Sequence, residues 1–126
     1  MKLAHLIVAA GLGLAATLTH ALEIKPYSAA ALQQAQQAGE PVALHFHADW
    51  CTVCQAQEKV LNELKSSKDL DLKVLVVDYD KEKALNKKLN VRSQSTLVVY
   101  KGEKETARLA GESDSQKIQA ALKTAL

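Results

Sequence analysis

The sequence predicts an α/β sandwich: a central mixed β-sheet flanked by helices on both faces. Three observations carry that prediction. The run 42–47, Val-Ala-Leu-His-Phe-His, is apolar on both faces, the pattern of a strand buried in the middle of a sheet. Segments of helical periodicity alternate with strand-like runs from residue 29 onward. Two further runs, 96–100 and 106–110, flank Lys101-Gly102-Glu103 and read as a hairpin. The chain of 126 residues is long enough for one domain with a single core. It has no internal repeat and no low-complexity tract. A net charge of +2 is too small to argue for nucleic acid or a membrane surface, so no nucleic-acid partner is expected.

Taken in order, residues 1–21 read as a signal peptide and 22–126 as the domain. Lys2 supplies a minimal positive start, 6–18 is an apolar run, and Thr19-His20-Ala21 offers a small residue at the cut. The run is short for a membrane span, which needs ~20 apolar residues, and no positive cluster follows it. Losing Lys2 with the leader leaves the remainder within one charge of neutral.

Residues 22–27 read as a short extended segment, with Pro26 barring a helix start before it. Ser28 is an N-cap candidate for a helix over 29–38, rich in Ala and Gln, which Gly39 and Pro41 end. After the central strand 42–47 comes a helix from Cys54 to about Ser67, with Val53, Val60, Leu61 and Leu64 at helical steps. A strand over 70–78 carries Leu72, Val74, Leu75, Val76 and Val77. A short helix over 81–89 is expected to turn Ala84, Leu85 and Leu89 inward, and the charge run Asp80-Lys81-Glu82-Lys83 reads as a solvated face. Asp114 or Ser115 caps a last helix with Ile118, Ala121 and Leu122 on one side.

The only two cysteines lie in Ala48-Asp49-Trp50-Cys51-Thr52-Val53-Cys54, where the central strand gives way to a helix. Unpaired N–H groups and the positive end of the helix dipole favour a thiolate there. This setting points to a redox Cys51-Cys54 disulfide. A structural disulfide is a poorer account, because so small a loop stabilises little. A metal site closed by cysteines alone usually needs four, so no metal is assigned, but Cys51 and Cys54 with His45 and His47, or cysteines shared between two molecules, keep a Zn, Cu or iron–sulfur alternative open.

Ala-Asp-Trp-Cys-x-x-Cys at the end of an apolar strand resembles the active site of the thioredoxin family, closest to its exported disulfide-reductase domains. Val77-Asp78-Tyr79-Asp80 and Val91-Arg92-Ser93-Gln94-Ser95-Thr96-Leu97 resemble the family's central strand end and the loop facing the cysteines, and the likeness runs from about 42 to 122. The resemblance implies a thioredoxin fold and thiol-disulfide exchange, reducing rather than oxidising. It implies no cofactor and no oligomer. Its partners would be protein thiols and disulfides, with a membrane-embedded electron donor among the candidates. With the leader it implies a periplasmic protein. Trp50, Gln94, Ser95 and Thr96 become the candidate substrate-binding residues. Cys51, at the exposed edge of the helix, is the expected nucleophile, and Cys54, one turn on, the resolving thiol.

Three departures from that family stand out. His45 occupies the position of a buried Asp, and Val76 that of its Lys partner. On strand alternation His45 shares a face with Ala43 and His47, toward the cysteines. It is either a hydrogen-bonded core residue or a base that takes the proton of Cys54. Ser95 stands where the family has a cis-proline, and without the ring a trans Gln94–Ser95 bond is expected.

Overall fold

The computed structural model describes Gly11 and residues 21–126. The expected signal peptide therefore lies outside the described residues, except for those two positions. Nine elements follow in order: β1 (Glu23–Pro26), α1 (Ala29–Gln37), β2 (Pro41–His47), α2 (Thr52–Leu64), β3 (Lys73–Asp78), α3 (Lys83–Lys88), β4 (Thr96–Lys101), β5 (Lys104–Ala110) and α4 (Ser115–Lys123). The five strands form one sheet in the order β1-β3-β2-β4-β5. β3 runs parallel to both β1 and β2, and β4 runs antiparallel to both β2 and β5. The sheet is mixed, as the sequence predicts, and β2 is its middle strand.

Each face has its own core. Val60, Leu61 and Leu64 of α2 and Ile118, Ala121 and Leu122 of α4 cover Ala43, Val74, Leu97 and Val99. On the other face, Ala35 of α1, with Ala31 and Leu32, packs with Leu85 and Leu89 over Leu44, Phe46, Leu75, Val77 and Val98. Strand alternation divides β2 between the two cores, which is why its sequence is apolar throughout. A fully buried Leu or Phe in these layers contributes roughly 2–3 kcal/mol of transfer free energy.

Local signals set the helix ends. Ser28 caps α1 by accepting from the Ala31 N–H at 3.1 Å. Asp114 caps α4 by accepting from the Lys117 N–H at 2.9 Å. Other boundaries shift from their expected places. α2 begins at Thr52 with Cys51 as its N-cap, and Val53 points outward; the buried stripe is Cys54, Gln57, Val60, Leu61 and Leu64. β3 begins at Lys73, although Leu70 and Leu72 still reach the core. In α3, Ala84 is exposed and Asn86 is the buried residue, its side chain donating to the Tyr79 carbonyl at 2.7 Å.

Candidate active site

The site forms where β2 leaves the middle of the sheet and the chain turns into α2. Cys51 and Cys54 are disulfide-bonded, with Cα atoms 5.2 Å apart. As N-cap, Cys51 presents its Sγ to the Cys54 N–H at 3.1 Å. This is one of the donors that the first turn of a helix leaves unpaired, and it would stabilise negative charge on that sulfur after reduction. Cys51 is 5% exposed and Cys54 fully buried. The expected order of accessibility holds, but Cys51 is less open than a helix edge suggests. Behind the pair, Cys54 Sγ lies 3.9 Å from the carbonyl oxygen of Phe46.

His45 is the residue before Phe46 and is buried in the sheet, opposite Val76 on β3 and Leu97 on β4. The two positions at which the chain departs from a buried acid and its basic partner are thus direct neighbours. An apolar Val76 offers no charge, and removal from water lowers the His45 pKa from 6.5 to about 4. The hydrogen bond that His45 makes to Gln57 and the carboxylate of Glu58 oppose that shift, and His47 adds to it. His45 is neutral at physiological pH.

Gln57, which sequence reasoning missed, is the hub of the site. Its Oε1 sits 2.9 Å from His45 Nε2, and its Nε2 donates to the carbonyls of Ser95 and Glu112, each at 2.9 Å. One side chain, 2% exposed, therefore links β2, α2, the loop before β4 and the loop before α4. The available signal was a polar residue three places after Cys54, in register with Leu61 and Leu64 on the buried stripe.

The Gln94–Ser95 peptide bond is trans, as expected, with no cis bond among the described residues. Ser95 instead takes a left-handed conformation, φ 59°. Its N–H donates to the Phe46 carbonyl at 2.8 Å, and its own carbonyl accepts from the Gly111 N–H at 2.9 Å as well as from Gln57. The Phe46 carbonyl thus meets both Cys54 Sγ and the Ser95 N–H, a bond a proline could not form. Gln94 is half-buried beside it. The Thr96 hydroxyl turns inward and donates to the Ser93 carbonyl at 2.8 Å, so it is not presented outward.

Trp50 is 64% exposed, and its indole N–H donates to Asp80 Oδ2 at 2.7 Å. One member of the charge run after β3 therefore holds the site's exposed aromatic ring. Beside it lies a cleft of about 510 Å³ lined by Trp50, Asp49, His47, Pro26, Asp80 and Lys81, among others. His47 stacks edge-on against His45 with centroids 5.5 Å apart. Its Nε2 is 3.3 Å from Glu58 Oε2 without the alignment of a hydrogen bond, and its Nδ1 is 3.7 Å from Asp49 Oδ1. Among the described residues no three His, Cys, Asp or Glu side chains converge as a metal site. Among the described residues the set Cys51, Cys54, His45 and His47 is not assembled within one chain.

Comparison with known proteins agrees with this geometry. The thioredoxin family model matches residues 23–124. A thioredoxin-like protein of Synechocystis is 31% identical over 72 residues, covering 57% of this chain and 69% of that protein. A thioredoxin of Alicyclobacillus acidocaldarius is 28% identical over 90 residues, 71% of this chain and 86% of that one. Among solved structures, Trxlp from Edwardsiella tarda superposes with a TM-score of 0.75 at 39% identity, covering 79% of this chain and 98% of that one. A thioredoxin domain with a disulfide-bonded Cys-x-x-Cys at its helix N-terminus supports thiol-disulfide oxidoreductase chemistry on protein thiols and disulfides. The chain belongs to the thioredoxin family.

Proposed function

We propose that this protein is an exported, monomeric reductase of protein disulfides, with Cys51 as nucleophile, Cys54 as resolving thiol and His45 as the group that takes the proton of Cys54. The observation that carries this reading is the position of Cys51: its sulfur is the N-cap acceptor of α2 and the more exposed of the pair. In the reduced protein, the Cys51 thiolate attacks one sulfur of a substrate disulfide. A Cys51–substrate disulfide forms and one substrate thiolate leaves. Cys54, giving its proton to His45, then attacks Cys51 Sγ, closes the Cys51–Cys54 disulfide and expels the second substrate thiolate. The substrate gains two electrons and the cysteine pair loses two. A donor dithiol, carried by a membrane-embedded partner, restores the pair.

The support for each part differs. Export is supported by the leader-like residues 1–21 and by a family match that begins at residue 23. Reduction is supported by likeness to thioredoxins. Substrate contact at Trp50, Gln94 and Ser95 is supported by their position around the cysteines. For Thr96 the support is its backbone alone. His45 is supported by its burial, its neutrality and its attachment to the same stretch of α2 that carries Cys54.

The test is disulfide reduction of a protein substrate by the prereduced domain, with Cys51→Ser and Cys54→Ser variants. Cys51→Ser should abolish reduction, and Cys54→Ser should accumulate the mixed disulfide. His45→Gln should slow release of that mixed disulfide and leave its formation unchanged. If limited alkylation of the reduced protein labels Cys54 before Cys51, the assignment of nucleophile is wrong.

A further inference from the structure

The amide orientation of Gln57 is dictated by its surroundings. Two of its three partners, the Ser95 and Glu112 carbonyls, can only accept, so the NH₂ group must face them. Reversing the amide would set an oxygen against two carbonyl oxygens. Oε1 is therefore left facing His45, and it can only accept. The proton on neutral His45 must then sit on Nε2. Nδ1 is left with the lone pair, and it is the only nitrogen at which the ring can take up a further proton.

We propose that Gln57 is a positioning residue of this active site, locking His45 in the Nε2–H form so that Nδ1 alone exchanges protons, and fastening that state to the Ser95 loop. The inference deepens the proposed function and rests on His45 as the proton acceptor for Cys54. The same NH₂ group that forces the tautomer also bonds the carbonyl of the left-handed Ser95. The loop conformation and the imidazole state are thereby held by one side chain. Movement of the Ser95 carbonyl, as on docking of an extended substrate beside it, would loosen the bond that orients the amide. The titratable groups facing His45 are His47 from β2 and Glu58 from α2, beside a cavity of about 100 Å³. Val76, Leu97 and Ile24, from β3, β4 and β1, bring no charge. Among the described residues no other side chain hydrogen-bonds this ring, and the selection of its tautomer falls to Gln57.

The ¹⁵N shifts of the His45 ring report directly which nitrogen carries the proton. The full domain should show the Nε2–H form. Gln57→Met, similar in size but unable to hold the amide network, should give a mixture of tautomers. It should also slow mixed-disulfide release by on the order of tenfold, part of what a positioned base contributes. Gln57→Glu keeps an acceptor at His45 while removing the donor to the Ser95 and Glu112 carbonyls, and its charge should raise the pH at which the ring titrates by about one unit or more. The ¹H–¹⁵N spectrum of each variant checks that it is folded. A wild-type ring protonated on Nδ1, or a tautomer unmoved in Gln57→Met with the ring's titration unmoved in Gln57→Glu, overturns the proposal. His45→Gln tests the underlying reading separately: if it releases the mixed disulfide at the wild-type rate, His45 as acceptor fails, whatever the tautomer.

Discussion

Ser95 does with backbone geometry what a proline ring does elsewhere in the family: it fixes the loop facing the cysteines. Its φ of 59° belongs to the left-handed region, which costs an L-residue roughly 1–2 kcal/mol. Three hydrogen bonds hold it there: from its N–H to Phe46, and from Gly111 and Gln57 to its carbonyl. A proline is locked near φ −65° and has no N–H, so it fits neither the dihedral nor the bond to Phe46. Ser95→Pro should therefore destabilise the domain by about 3 kcal/mol or more. Ser95→Gly should be neutral or stabilising by up to about 1 kcal/mol, since glycine takes this conformation without strain. Urea unfolding midpoints of the two variants check this. A Ser95→Pro protein as stable as the wild type would show that the loop rebuilds around the ring.

At the scale of elements, the β4–β5 hairpin is fastened to the start of β2. Gly102, in the two-residue turn, has φ +57°, and its N–H donates to the Glu40 carbonyl at 3.0 Å. A Cβ placed there would lie 3.2 Å from the Cα of Gly39, in the turn that ends α1. Gly39 also has a positive φ, but its own Cβ would meet open space. Gly102→Ala should thus cost more than the ~1–2 kcal/mol of the left-handed backbone alone, and Gly39→Ala about that amount. Equal thermal shifts in the two variants would mean that the hairpin gives way freely. Most elements at this scale were legible in the sequence, because Val and Leu runs, Ser28, Asp114 and the glycines act locally. Gln57 was not. Its partners Ser95 and Glu112 lie 38 and 55 residues further along the chain, and only the assembled fold brings their carbonyls to it. Ala84, expected inward, is exposed and Asn86 is buried instead for a related reason: the Tyr79 carbonyl that receives the Asn86 side chain is exposed to it only once β3 has ended. In the site, the cysteine pair and the departures at His45 and Ser95 could be read in advance, whereas the left-handed turn replacing the proline could not.

The whole molecule places an imidazole in the middle strand of a sheet covered on both faces, and its stability should carry the mark of that choice. His45 is buried at β2, with Val76 and Leu97 beside it and His47 and Glu58 as the charged or titratable groups that shift it. Desolvation lowers its pKa to about 4 in the folded chain, against 6.5 for an exposed histidine. At neutral pH both folded and unfolded chains hold the ring uncharged, so His45 sets no pH dependence there. As pH falls through 6.5 the unfolded chain binds a proton that the folded chain refuses until about 4. The unfolded state gains throughout that window, and stability falls; below it, both states are protonated and the loss levels off. The interval corresponds to about 3 kcal/mol. Carboxylates titrate in the lower part of the same range, so the comparison must be with a variant that removes only this group. His45→Gln keeps a side-chain N–H for Gln57 and cannot titrate. The unfolding free energy of the wild type should therefore fall by about 3 kcal/mol more than that of His45→Gln between neutral pH and pH near 4. Parallel curves for the two proteins would mean that the ring takes up its proton inside the fold, and that the buried, neutral imidazole required for accepting the Cys54 proton is not what this sheet provides.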